Sequence, residues 1–200
     1  MIFGNRAYTV AMGQARKIQR YSLDQYLALE RDGEVRHEFL DGEIVAMVGS
    51  SRLHNALATR LIAALYGHLR GTPCRVAGSD MKVLVAPANR VYYPDLVVSC
   101  ADPAGELDEY TESHPRLIIE ILSPSTAMID RREKRLAYGL LESLQDYVLV
   151  AQDEAKVEVY SRQQDGWTHT LYGVGETVLL PSVDLALPVG AIYEGLPALR

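Results

Sequence analysis

Leu53, Leu57, Leu61, Leu65 and Leu69 recur at every fourth position, a spacing that lays one apolar stripe along a single helix face. Ser50 or Ser51 can cap the start of this helix, and Gly71 and Pro73 stop it. Upstream, Ser22 caps a shorter predicted helix running to about Arg31, with Leu23, Tyr26 and Leu27 at helical spacing and Asp32-Gly33 at its end. Between the two helices, His37-Glu38-Phe39-Leu40 and the run from Glu43 to Val48 flank Asp41-Gly42, and an Asp-Gly pair between such runs is a strong hairpin signal. A two-residue turn there sets Glu38 across from Val45.

Beyond the long helix the period becomes that of strands. Met81 to Ala86 and Leu96 to Cys100 read as strands, joined through residues 87–90 and the short run Val91 to Pro94. Residues 102–115 are acidic and turn-rich, as in an exposed loop. Leu117 to Leu122 is apolar on both parities apart from Glu120, the pattern of a strand covered on both faces. Pro124 ends it, and Ser125 or Thr126 can cap a helix to about Glu142 that carries Arg131, Arg132, Lys134 and Arg135. Tyr147 to Ala151, Val157 to Ser161, Thr168 to Leu171 and Val178 to Leu180 suggest further strands, with a turn at Asp165-Gly166. The order predicts an α/β fold on the α+β border, a mixed central sheet flanked by helices with additional C-terminal strands.

Composition narrows the function. Two hundred residues make one domain, expected over residues 21–200 behind a leader, 1–20, that holds four basic residues and no acid. A net charge of −6 excludes a generally basic surface for nucleic acid, so phosphate binding must come from a local patch or a metal. No apolar run is long enough to span a bilayer, so no membrane partner is expected. Cys74 and Cys100 lack close spacing, which points away from a disulfide scaffold or a zinc site and toward a reducing cytoplasm.

The chemistry lies in three carboxylates set in apolar context. An ionised Glu120 inside an apolar strand costs several kcal/mol, on the order of a buried-ion penalty, unless a partner or cation compensates it. Asp95 follows Pro94 at the mouth of another strand, and Glu38 sits in the hairpin. Acidic oxygens without a His or Cys cluster favour Mg²⁺ or Mn²⁺. A structural alternative pairs Glu120 with Arg116 or Arg75. Another makes Asp130 and Lys134, at i,i+4, a surface ion pair worth about 0.3–0.5 kcal/mol.

The ordered set Tyr92-Tyr93-Pro94-Asp95-Leu96-Val97-Val98, Leu117 through Thr126, Asp130, Glu133-Lys134 and Tyr138, with His37 through Glu43 and Ser50 through His54 upstream, resembles the Uma2 family. The resemblance covers nearly the whole chain after Tyr21. It implies a restriction-endonuclease-like fold of the PD-(D/E)XK type, in which Asp95, Glu120 and the Ile121 carbonyl hold a divalent metal and Glu38 is a further acidic member. The lysine of the superfamily pattern falls on Leu122 here, and Lys134, which matches the Uma2 lysine, takes its role. Strand pairing suggests Lys82 as a second candidate, since pairing Ala86 with Val91 places Lys82 opposite Asp95. Arg131, Arg132 and Arg135 are candidate phosphate contacts, His54 a supporting residue, and Tyr138 a packing residue. The expected activity is Mg²⁺-dependent endonucleolytic cleavage of DNA, with a homodimer as a possible assembly. The alternative, drawn from Leu122, is an inactive nuclease-fold module that binds nucleic acid or protein.

Overall fold

The leucine stripe is the inner face of the longest helix. In a computed structural model that describes residues 19–100, 108–124 and 126–196, helix α2 (Arg52–Leu69) starts at Ser51, whose side chain accepts the His54 amide, and buries Leu57, Leu61, Leu65 and Leu69. Each leucine so buried contributes about 1.5–3 kcal/mol. Helix α1 (Leu23–Asp32) begins with a reciprocal cap between Ser22 and Gln25. Strands β1 (His37–Leu40) and β2 (Glu43–Ala46) form the expected hairpin with Glu38 opposite Val45. Asp41 and Gly42 both take positive φ, 49° and 94°, which is what a primed two-residue turn requires.

The next strands are β3 (Arg75–Gly78), β4 (Lys82–Val85), β5 (Arg90–Tyr92), β6 (Leu96–Ser99), β7 (Thr111–Glu112) and β8 (Pro115–Leu122). A composite helix follows, with an α turn Ala127–Ile129, a π turn Asp130–Lys134 and an α turn Arg135–Tyr138. Then come β9 (Asp146–Ala151), β10 (Val157–Gln163), β11 (Gly166–Tyr172), β12 (Thr177–Leu180), β13 (Leu185–Pro188) and a short helix Val189–Tyr193. The central sheet has the order β11-β10-β9-β8-β6-β3; β8 and β9 run parallel, joined across the composite helix, and its other pairs are antiparallel. A second sheet, β2-β1-β5-β4-β7, packs beside it, and β12 pairs with β13. The fold is a mixed α+β one of sheets flanked by helices, as the element order predicts.

Alternation along the central strands explains the layers. Leu96, Val98, Leu117, Ile119 and Ile121 join the α2 core, whereas Val97, Ile118 and Leu122 join a cluster with Tyr138, Tyr92, Val83 and Val85. The sheet is thus covered by α2 on one face and by the composite helix and second sheet on the other. A third cluster of Tyr26, Phe39 and Val91 seats α1. Among the described residues no helix is long and apolar enough to cross a membrane.

Several expectations need correction. The third helix stops at Tyr138 rather than near Glu142, and it is interrupted by a π turn. Strands β3, β7 and β13 and the helix Val189–Tyr193 are additions, and Thr111 and Glu112 are buried rather than part of an exposed loop. Cys74 and Cys100 form a disulfide with a Cα–Cα distance of 4.0 Å, because the β3–β6 register that pairs Arg75 with Ser99 brings the next residues together. Their sequence separation of 26 carries no such signal. Most of the leader, residues 1–18, lies outside the described residues, as do residues 102–107 of the acidic loop.

Candidate active site

Strand register brings the two separated acids together. The β6–β8 ladder pairs Leu96 with Ile119, so Asp95 and Glu120 stand one step beyond the last pair, at the edge where β6 begins and β8 nears its end. The Asp95 amide points to Glu120 Oε2 at 3.4 Å. Asp95 Oδ2 accepts the Ile121 amide at 2.7 Å and lies 3.0 Å from His54 Nε2, on the first turn of α2. Glu120 Oε1 accepts from Lys134 Nζ at 3.1 Å and from the Tyr138 hydroxyl at 3.2 Å.

Lys134 is the hub of the opposite side. Its Nζ also lies 3.0 Å from Glu38 Oε1 and 3.5 Å from Asp130 Oδ1, and it stands 5.4 Å from the centroid of the Tyr92 ring. The hairpin thus delivers Glu38, the central strand Glu120, and the composite helix both Asp130 and Lys134. The π turn falls on the last two residues, and π turns are frequent at functional sites. Asp130, Lys134 and Tyr138 are all buried there, and the Tyr147 hydroxyl donates to the Asp130 carbonyl at 3.0 Å. The predicted surface ion pair between Asp130 and Lys134 is therefore an interior contact, with relative exposures of 2% and 7%.

The charges do not balance. Burial pushes the Glu120 carboxyl well above the usual carboxylate range; Lys134 opposes the shift, and Asp95, Asp130 and Glu38 reinforce it. Burial also raises Asp130, against the pull of Lys134. Burial disfavours the Lys134 ammonium, yet Glu120, Glu38 and Asp130 together hold it above the ordinary lysine range. Lys134 shifts upward because three carboxylates share its one ammonium, and Glu120 shifts upward because burial, reinforced by the neighbouring acids, outweighs that ammonium. Burial, followed by the neighbouring Glu120, raises the Tyr138 phenol, so this hydroxyl remains a donor.

The structure therefore gathers Glu38, Asp95, Glu120, Ile121, Lys134 and His54, and it adds Tyr138, expected to be packing alone, as a donor to Glu120. The position of Tyr138 one turn after Lys134 was the available signal. Lys82 is not brought in by pairing. The β4–β5 ladder matches Val83 with Tyr92, which extends to Lys82 opposite Tyr93 rather than Asp95. Its Nζ packs 5.8 Å and 5.4 Å from the Tyr93 and Tyr110 ring centroids, and burial lowers its pKa. Arg131 is committed to Glu158, with Nε at 2.9 Å and Nη2 at 2.8 Å from Oε1. Arg135 lies 5.2 Å from the Tyr160 ring and donates to the Arg131 carbonyl, while Arg132 is exposed. Neither Arg116 nor Arg75 pairs with Glu120: Arg116 donates to the Ser182 carbonyl and Arg75 to Glu112.

An α+β domain whose sheet edge collects acids around one buried lysine has the architecture of a nuclease-like fold. The chain belongs to the Uma2 family, described as "Putative restriction endonuclease", which matches residues 23–190. Two proteins of Synechocystis sp. are similar: slr1290, 32% identical over 188 residues that cover 94% of this chain and 98% of that protein, and sll1609, 31% identical over 142 residues that cover 70% and 80%. A crystal structure from Anabaena variabilis, described as "a putative nuclease belonging to DUF820", superposes with a TM-score of 0.71 at 21% identity over 86% of this chain and 97% of that one. At that identity the likeness concerns the fold. The family description supports a nuclease, with nucleic acid as its substrate class.

Proposed function

We propose that the protein is a Mg²⁺- or Mn²⁺-dependent endonuclease acting on DNA, with Asp95 and Glu120 as the metal-holding pair. The observation that carries this reading is the excess of acid at the sheet edge. Four carboxylates converge there and Lys134 reaches three of them, so a dication would offset the burial penalty, and the repulsion added to it, that raise Glu120. The donors suit a hard cation: Asp95 Oδ1 has no hydrogen bond among the described residues, and Glu120 Oε2 has the long 3.4 Å contact alone. The described residues hold no cluster of three His, Cys, Asp or Glu able to grip an ion, so waters and the Ile121 carbonyl would complete the shell.

When bound, such a cation polarises a phosphodiester and acidifies a water molecule. The chain's own groups do the rest. Lys134 offsets negative charge beside Glu120 and, in this reading, would orient a water for attack. Glu38 holds Lys134 from the hairpin side, and the Tyr138 hydroxyl fixes Glu120 Oε1. Of the predicted arginine patch, Arg132 is the exposed member left for a phosphate contact. Supercoiled plasmid and short duplexes incubated with Mg²⁺ or Mn²⁺ test the proposal, with Glu120→Gln as control. Cleavage by the wild type that the variant loses is expected. Salt-sensitive DNA binding with no cleavage at saturating metal would instead make the chain an inactive binding module.

A further inference from the structure

The Asp95 side of the site contains a closed ring of hydrogen bonds that the reaction above leaves unexplained. Starting from β8, the Leu122 carbonyl accepts Gln152 Nε2 at 2.8 Å, and Gln152 Oε1 accepts the Ser51 hydroxyl at 2.9 Å. Ser51 Oγ accepts the His54 amide at 3.1 Å, His54 Nε2 meets Asp95 Oδ2 at 3.0 Å, and the same oxygen accepts the amide of Ile121, the residue before Leu122. The helix cap, the imidazole, the carboxylate and the strand end therefore fix one another.

His54 is 9% exposed, and its Nδ1 is buried with no partner. A buried N–H without an acceptor is costlier than a lone pair without a donor, so the accounting places the proton on Nε2, donating to Asp95. Oδ2 then has two donors. A cleft of about 300 Å³, lined by His54, Asn55, Thr59, Ser79 and Asp95 among others, opens beside the same carboxylate.

We infer that His54 is a positioning residue: with the Ile121 amide it saturates Oδ2 of Asp95 and turns Oδ1 alone toward the cation. The inference rests on the metal-dependent reading above. It does not depend on His54 gaining or losing charge, because the interaction is a directional N–H donation.

Two variants that differ in reach test it. The terminal amide of Gln extends about as far as imidazole Nε2, whereas that of Asn stops one bond short. Calorimetric titration of the folded proteins with Mn²⁺ is expected to show His54→Asn binding about 10- to 100-fold more weakly than wild type, the usual cost of losing an orienting partner. His54→Gln should stay within about threefold of wild type if the donated hydrogen bond is what counts. Gln152→Leu, at the far side of the ring, should weaken binding less than His54→Asn and serves if the latter does not fold. A merely structural histidine would lower the thermal midpoint in both variants without separating their affinities. Equal Mn²⁺ affinity in wild type and His54→Asn, with binding lost in Glu120→Gln, overturns this inference and leaves the nuclease reading intact. Wild type binding Mn²⁺ no better than Glu120→Gln overturns both.

Discussion

A lone buried carboxylate and an acidic cluster flank the composite helix, and they are built on opposite principles. On one side Glu158, 8% exposed, is met by Arg131 through two nitrogens and by His169 Nε2 at 3.3 Å, and the Arg131 guanidinium alone matches its one negative charge. On the other side Glu38, Glu120 and Asp130 share Lys134, with Asp95 one step away, and burial with mutual repulsion raises Glu120. The first arrangement pins β10 to the helix and needs nothing more. The second is unbalanced in its own fold, which is what the cation site proposed above requires and a purely structural ion pair does not.

Lys134→Met should break the contrast most severely. Removing the ammonium strands the buried Glu120 and Asp130 and the part-buried Glu38, and urea unfolding is expected to show a loss of about 3–5 kcal/mol together with loss of cleavage. Glu120→Gln should go the other way: Lys134 keeps Glu38 and Asp130, the disfavoured buried charge disappears, and metal-free stability is expected to rise by about 1 kcal/mol while Mn²⁺ binding and cleavage vanish. A fall in metal-free stability for that variant would show the cluster to be balanced after all. Arg131→Ala, at the half-exposed pair, should cost about 1 kcal/mol or less and leave Mn²⁺ affinity unchanged.

The smallest effect is a pH dependence. A carboxyl whose folded pKa lies above its unfolded value binds more protons in the folded state, so it contributes stability at low pH that is lost as pH rises through the folded value. Glu120 is such a group, with an ordinary value of 4.5, and Asp130 another, with 3.8. Lys134 is raised as well, so its contribution persists below the ordinary lysine value of 10.5 and does not interfere in this window. The stability gap between Glu120→Gln and metal-free wild type should therefore widen as pH rises above 4.5, and denaturation at several pH values measures it.

The reading from sequence was strongest where local chemistry speaks. The leucine stripe, the Asp-Gly turn that put Glu38 opposite Val45, and the lone carboxylate in Leu117–Leu122 all depend on neighbours within a few positions. It failed where a partner lies far along the chain. Lys82 was placed opposite Asp95 by one assumed pairing across residues 87–90, and the real register differs by two residues in the sum of partners. The Cys74–Cys100 bridge has no local signature for the same reason, since the β3–β6 register alone makes those residues neighbours. The arginine run could not reveal that Arg131 belongs to Glu158, 27 positions on.

The amino-acid pattern by itself determined the helix faces, the turn chemistry, the strand interiors and the anomaly of Glu120, because period and cap residues act over a few ångströms of contiguous backbone. The tertiary structure alone decided which acids meet, that Lys134 points inward through a π turn, and that His54 touches Asp95. Those outcomes depend on strand register and helix phase between distant segments, and a shift of one residue in either would send the same side chains to different faces.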